Sequence, residues 1–480
     1  MDLDLIRLDR DVARAARVWR AALGDLVRRG PAPAAEDQDG PSAAEARARL
    51  ENPLDAFRRA SARTTYLELT GQTPSLGAEL GLASAAASTV APEPTGLAAP
   101  LADWVYTLTL ERVLWADRLR LATAWHAPSI AVDLPEPVRL SPHEARIRLL
   151  AEPTDAGRQT LADVLTRGSG AVADAARVLV ERKQEAARRL AEAGLRAIEL
   201  PTDPPEAAIG AAEALLHRTE AMLERASTWH GALGRAVGRD ASSGWPARLG
   251  PRWIEELFRA TKLTEGLAID LGPLPRPLGA ASFARALARF GAALSLASAR
   301  GPFAIARRPF DLRQARRAAL FGGLVADPVF CERALGLGRG RALDQARATA
   351  RSLLLSLRLD AARVGLVFHA GGHVLLRAAR DRSDLFQEAT ARALGAPIPG
   401  ALAGVVPALE PDAAARLVGA LLSARDRRDL IERFDEDWFR NPRAAEALRD
   451  EDNSPPAPGR PSAADLEEGL DVMTRSLAAL

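Results

Sequence analysis

Apolar residues recur every three or four positions along most of the chain. In VADAARVLVERKQEAARRLAEAG (172–194), Val172, Ala175, Ala176, Leu179 and Val180 form one stripe, Arg, Glu and Lys fill the other faces, and Gly194 closes the pattern. AAIGAAEALLHRTEAMLERAS (207–227) repeats it. DWVYTLTLERVLWADRLRLATAW (103–125) predicts a strongly apolar helix carrying three of the eight tryptophans, with Asp103 placed to cap its N-terminus. Strand-like runs are confined to SIAVDL (129–134) and AIEL (197–200). The pattern predicts an all-α fold with little or no sheet.

Pro- and Gly-rich stretches interrupt the periodicity at RRGPAPAAEDQDGPSAAE (28–45), ASTVAPEPTGLAAP (87–100), LPTDPPEAA (200–208) and DEDNSPPAPGRPSAAD (450–465). The third predicts a domain boundary, with a helical N-terminal domain over 1–204 and a second helical domain over 205–449. The fourth predicts a linker, so that 450–480 reads as linker plus a short terminal helix opening at Ser462. No repeat stands out at solenoid spacing.

Composition narrows this picture. Aromatic residues make up only 5% of the chain, which shifts the expected burial onto Ala, Leu and Val in closely packed helices. Lys183 and Lys262 are the only lysines among 64 basic residues. Against 62 acidic residues the net charge is +2, and the arginines lie along helices beside Asp and Glu, as on solvated faces. A nucleic-acid partner would call for a basic stripe interleaved with aromatics, and none is present. Cys331 is the only cysteine, so no disulfide can form within the chain, and it reads as a small buried hydrophobe. The opening MDLDLIRLDRDVARAARVW alternates charge with apolar residues, unlike a signal peptide, and no apolar run reaches the roughly 20 residues of a membrane span. These features predict a cytoplasmic protein with neither nucleic-acid nor membrane partners.

The most suggestive short motif is FHAGGH, Phe368 to His373. With Glu at 370 it would be HExxH, two zinc ligands and a base on one helical face; Ala370 stands there instead. Two readings stay open. His369 and His373 could hold zinc with Glu388 as a third ligand, or both could be hydrogen-bonded histidines on a partly buried helix, made pliable by Gly371 and Gly372. His143–Glu144 follows Ser141–Pro142 and reads as a helix start rather than a catalytic dyad. LGLGRGRA (335–342) lacks the preceding strand and the GK[ST] ending of a phosphate-binding loop and reads as a helix cap and turn.

A family resemblance enters through IERFDEDWFRNPRAAEALR (431–449). It is similar to the closing segment of the thimet-oligopeptidase and oligoendopeptidase-F-like zinc metallopeptidases, matching at Phe434, Glu436, Asp437, Trp438, Arg440, Asn441 and Pro442. RALARFGAALSLAS (285–298) resembles the metal helix of that family, with Gly291, Leu294 and Ala297 on matching positions. The first histidine of the motif then falls on Ala288, the catalytic glutamate on Arg289 and the second histidine on Ala292. GPFAIARRPFDLRQARRAALFGGLVADP (301–328) resembles the stretch bearing the third ligand, through Pro302, Phe303, Leu320, Phe321 and Leu324, and places that glutamate at or beside Ala315. The tripeptide Thr264–Gly266 copies a family signature but precedes the metal helix, in the wrong order.

The resemblance covers roughly 205–480 and implies a large, two-lobed helical fold with a central channel. It also implies that the chemistry has gone. No imidazole or carboxylate remains at the matched positions to hold Zn²⁺, and Arg289 puts a fixed positive charge where the base would stand. The expectation is a catalytically inactive, cofactor-free protein that binds a peptide or pairs with an active paralogue. Two alternatives are a zinc metalloenzyme using His369 and His373, and a structural helical interaction protein.

Overall fold

A computed structural model of the chain describes residues 4–30, 51–70, 96–128, 130–132, 138–152, 154–192, 206–223, 226–236, 245–246, 248–269, 271, 279–309, 312–368, 372–405, 412–453 and 461–480. The N-terminal segment forms α1 (Leu5–Arg29), α2 (Arg63–Leu69) and α3 (Ala98–His126). A two-stranded antiparallel ribbon follows, β1 (Ile130–Val132) and β2 (Val138–Leu140), with Ile130 opposite Leu140. Next come α4 (Pro142–Ala151), α5 (Asp155–Gly168), α6 (Gly170–Glu192), α7 (Glu206–Arg218) and α8 (Trp229–Ala236). The middle of the chain forms α9 (Pro251–Ala260), α10 (Ala280–Ser298), α11 (Phe303–Ala306), α12 (Leu312–Gly322) and α13 (Pro328–Arg333). The last elements are α14 (Arg339–Val367), α15 (Ala379–Leu394), α16 (Asp412–Phe434), α17 (Pro442–Asn453) and α18 (Ala463–Ala478). The all-α expectation holds: among the described residues the ribbon is the only sheet. The second strand-like run, 197–200, lies outside them.

Side-chain caps from Asp4, Ser141, Thr154, Asp327 and Ser462 open α1, α4, α5, α13 and α18. Ser141 and Glu144 form a reciprocal capping box that opens α4, which confirms His143–Glu144 as a helix start; Ser462 and Asp465 do the same for α18. Asp103 is a correction. α3 begins at Ala98, because Pro100 fits a first turn whose N–H groups need no partner inside the helix. Asp103 therefore lies inside α3, where its carboxylate accepts from Arg308 at 3.3 Å. The 450–465 linker starts later than its composition suggests, since α17 continues to Asn453.

Several apolar cores hold these helices. The largest joins α4 to α8 with α14, α15, α16 and α18, through residues such as Leu165, Leu215, Leu359, Phe386, Leu417 and Leu470. It draws on chain from both sides of 200–208 and is built mainly of Leu, Ala and Val, as the composition predicts. A second core, under α9, α10, α12 and α13, is aromatic: Phe258, Phe283, Phe290, Phe321, Phe330, Trp438 and Phe439 are all buried there. Phe258 stacks on Phe290 at 4.4 Å between ring centroids, and Phe321 meets both edge-on at 5.3 Å. Each such ring contributes about 1.5–3 kcal/mol by burial, so a few aromatics suffice to fix this region. A third core packs α1, α2 and α3 around Trp104. Asp9 of α1 ties it to the middle of the chain by accepting from the N–H groups of Phe303 and Ala304 at 2.8 and 2.7 Å.

Two arginines depart from the expected solvated faces. Arg358 of α14 is 0% exposed and Arg317 of α12 is 2% exposed. Arg358 donates to the carbonyls of Leu216 and Ala393 at 2.8 and 3.0 Å, and to Arg392 O and Thr219 Oγ1. These acceptors belong to the C-terminal ends of α7 and α15, whose partial negative charge favours a buried cation. Arg317 donates to Asp452 at 3.0 Å and to Glu451 at 2.8 Å, both near the end of α17.

Candidate functional site

FHAGGH does not form a helical metal motif. α14 ends at Val367, where Phe368 N–H bonds to Val364 O at 3.0 Å, and Gly372 adopts φ +92°. His373 instead caps a single 3₁₀ turn, Val374–Leu376, with Nδ1 accepting from Leu375 N–H at 3.1 Å. The expected helix across both histidines is thus corrected, because α14 ends at Val367, before the first of them, and Gly372 takes a left-handed φ that glycine permits. His369 lies outside the described residues, and Glu388 is exposed on α15. Among the described residues, no three His, Cys, Asp or Glu side chains are grouped as metal ligands.

His373 gives a pH prediction. Burial, reinforced by the positive charge of Lys183, pulls its pKa from 6.5 down to about 4. The unfolded chain takes up this proton near pH 6.5 and the folded chain only near 4, so stability present above 6.5 drains away as pH falls through that window. The loss is about 3 kcal/mol for this one group. Urea unfolding between pH 7 and pH 4 should show it, and His373→Gln should flatten that part of the profile. Burial likewise pushes the Cys331 thiol up to about 12, in keeping with a buried, inert side chain.

The two segments that resemble a metal helix and its ligand-bearing partner are α10 and α12, and they pack directly on each other. Gly291 makes this possible: a Cβ there would come within 2.3 Å of the Arg317 carbonyl oxygen. A Cβ on Gly322 would lie 3.0 Å from the Ala288 methyl. Ala288 and Ala292 are half-buried and Arg289 is exposed. Ala315 faces a different neighbour, since a Cβ on Gly419 of α16 would come within 2.8 Å of its methyl. Gly322, the α12 residue against Ala288, is two turns or about 10 Å along the axis from Ala315. The structure therefore brings Ala288 to the α10–α12 contact but does not bring Ala315 to Ala288.

Around α12 the charges are arginines held by acids. Arg316 pairs with Asp426 of α16, and Arg317 with Asp452 and Glu451. Burial pushes the Asp452 carboxyl above its ordinary value against the pull of Arg317. The closing segment packs onto the same pair of helices. Trp438 is 2% exposed, with its ring 6.1 Å from Phe321, and Asp437 pairs with Arg333 at 2.9 Å.

An open cleft of about 530 Å³ lies beside α10. Its wall is α9 and the turn after it: Glu255, Arg259, Lys262, Thr264 and Glu265, with Leu267, Ile269 and Phe290 as the apolar part. Leu263 N–H bonds to Phe258 O at 3.0 Å and Lys262 N–H to Arg259 O at 2.9 Å, the two bonds of a Schellman turn closing α9. Lys262 holds the left-handed position at φ +63°, where glycine is usual. These residues share no known motif spacing, so nothing in the sequence marks them as a set. The available signals were the rarity of lysine at 262 and the displaced Thr264–Gly266 tripeptide.

Compared with protein-family models, with curated proteins and with solved structures, the chain matches none.

Proposed function

We propose that the chain is a non-catalytic binding scaffold of oligopeptidase type, which holds a peptide without cutting it. The observation that carries this reading is the α10–α12 pair. Two segments resembling a metal helix and its ligand-bearing partner are immediate neighbours through Gly291, yet Ala288, Arg289 and Ala292 occupy the motif positions and Ala315, at the third, faces α16 instead. Alanine methyls supply no lone pair, and an arginine can neither accept a proton at neutral pH nor attract a divalent cation. The cleft beside Phe290 offers a binding surface adjoining that helix.

The test is metal content together with hydrolysis. Purified protein exposed to zinc and dialysed should retain less than one equivalent per chain, and a His369→Ala/His373→Ala variant should retain the same amount. Peptides incubated with it should be recovered intact with or without a chelator. One tightly held zinc lost in that double variant, or hydrolysis abolished by chelation, sinks the proposal and restores a metalloenzyme.

A further inference from the structure

We infer that the α9–α10 cleft binds a short zwitterionic peptide of two or three residues, through both of its charged ends. This rests on the peptide-binding reading above and adds to it the site and the groups recognised.

Four charged side chains ring the cleft, Glu255, Arg259, Lys262 and Glu265, two of each sign. Among the described residues, none of the four side chains has an ion pair or hydrogen bond. That is unusual in this chain, whose arginines elsewhere reach acids on the same or neighbouring helices, as Arg177 does with Glu181 and Arg392 with Glu213. Glu255 and Arg259 are four apart on α9, the spacing at which such a pair normally closes on itself. A ligand with a carboxylate at one end and an ammonium at the other answers both signs at once. Arg259 and Lys262 would take the carboxylate, and Glu255 and Glu265 the ammonium.

Size and polarity agree. A cleft of about 530 Å³ lies within the range of small-ligand sites and has room for a dipeptide or tripeptide. Leu267 and Ile269, both half-buried, give the lining an apolar part suited to an aliphatic or aromatic side chain, with the buried Phe290 behind them.

Lys262 supplies an independent argument. The Schellman turn it closes is a backbone device that glycine serves without strain, whereas lysine carries a steric cost there. A residue kept in a strained conformation beside a cleft points to use of its side chain rather than to folding. Its backbone carbonyl also accepts from Arg449 at 3.0 Å, which fixes the turn against α17.

Isothermal titration with leucyl-phenylalanine, its N-acetyl form and its C-terminal amide tests the assignment. The free dipeptide should bind with one site per chain, and each cap should weaken it by at least about tenfold, the usual worth of one charge-assisted contact. Arg259→Gln and Lys262→Gly should reproduce the loss caused by the amide, and Glu255→Gln that caused by acetylation. Lys262→Gly should also unfold at an equal or higher temperature than the parent chain, so lost binding cannot reflect lost folding. Equal affinity for capped and free dipeptides, unaffected variants, or no binding of the dipeptide overturns the assignment. A capped ten-residue peptide pool, titrated in parallel, separates the two levels. If the pool binds and the dipeptide does not, the cleft assignment fails and the peptide-binding reading stands; if neither binds, both fail.

Discussion

Replacing Arg358 with methionine is expected to destabilise the protein by about 3–5 kcal/mol, the cost typical of removing one partner of a buried charged network. The guanidinium is 0% exposed and satisfies carbonyls at the C-terminal ends of α7 and α15 together with Thr219 Oγ1. Methionine fills much of the same volume but donates nothing, so those acceptors lose their partner inside the largest core. Burial, joined by the charge of Arg392 and opposed by Glu220, lowers the pKa of this arginine, which marks the environment as one that penalises the charge unless every donor is used. Arg358→Lys keeps the charge but cannot span acceptors on two helices with a planar fork, and should fall between the parent chain and the methionine variant. Urea unfolding monitored by circular dichroism checks both, and a loss under about 1 kcal/mol in the methionine variant contradicts the network account.

Gly291→Ala is expected to cost about 1–3 kcal/mol, although an alanine inside a helix normally gains nearly 1 kcal/mol over glycine. The added methyl would sit 2.3 Å from a backbone oxygen and 2.8 Å from the carbonyl carbon of Arg317, and 2.9 Å from the Phe321 ring. A backbone atom cannot swing aside as a surface side chain can, so α10 and α12 must separate and loosen the aromatic core between them. Gly210→Ala on α7 is the matched control. Its Cβ meets nothing within 4 Å, and the substitution should stabilise by about 0.5–1 kcal/mol. Opposite signs for the two glycines in the same unfolding assay are the expected result; two stabilising substitutions contradict the close approach of α10 and α12.

Helix periodicity made the secondary structure legible, because an amphipathic stripe is a local property of a short stretch of chain. Val172, Ala175 and Ala176 are buried on α6 as their spacing predicts, and Ser141 and Ser462 cap the helices their neighbours announce. Arg358 and Arg317 were not legible. A lone arginine in a helical run looks the same whether its partners are water or the ends of distant helices, and only the tertiary fold decides. FHAGGH misled for a related reason. HxxxH spacing places two imidazoles on one face only if the helix continues, and the turn at Gly372 lies outside that assumption. The cleft charges were invisible as a set because Phe290 on α10 joins Glu255 and Lys262 only through packing across the segment between α9 and α10.

The central claim is that this helical scaffold engages a peptide and leaves it whole. One measurement addresses it directly: equilibrium binding of a fluorescent pool of ten-residue peptides in the presence of zinc, with the mass of the recovered peptides read at the end. Saturable binding with every peptide recovered at its starting mass is the predicted result. Cleaved peptides, or no binding at all, would contradict it.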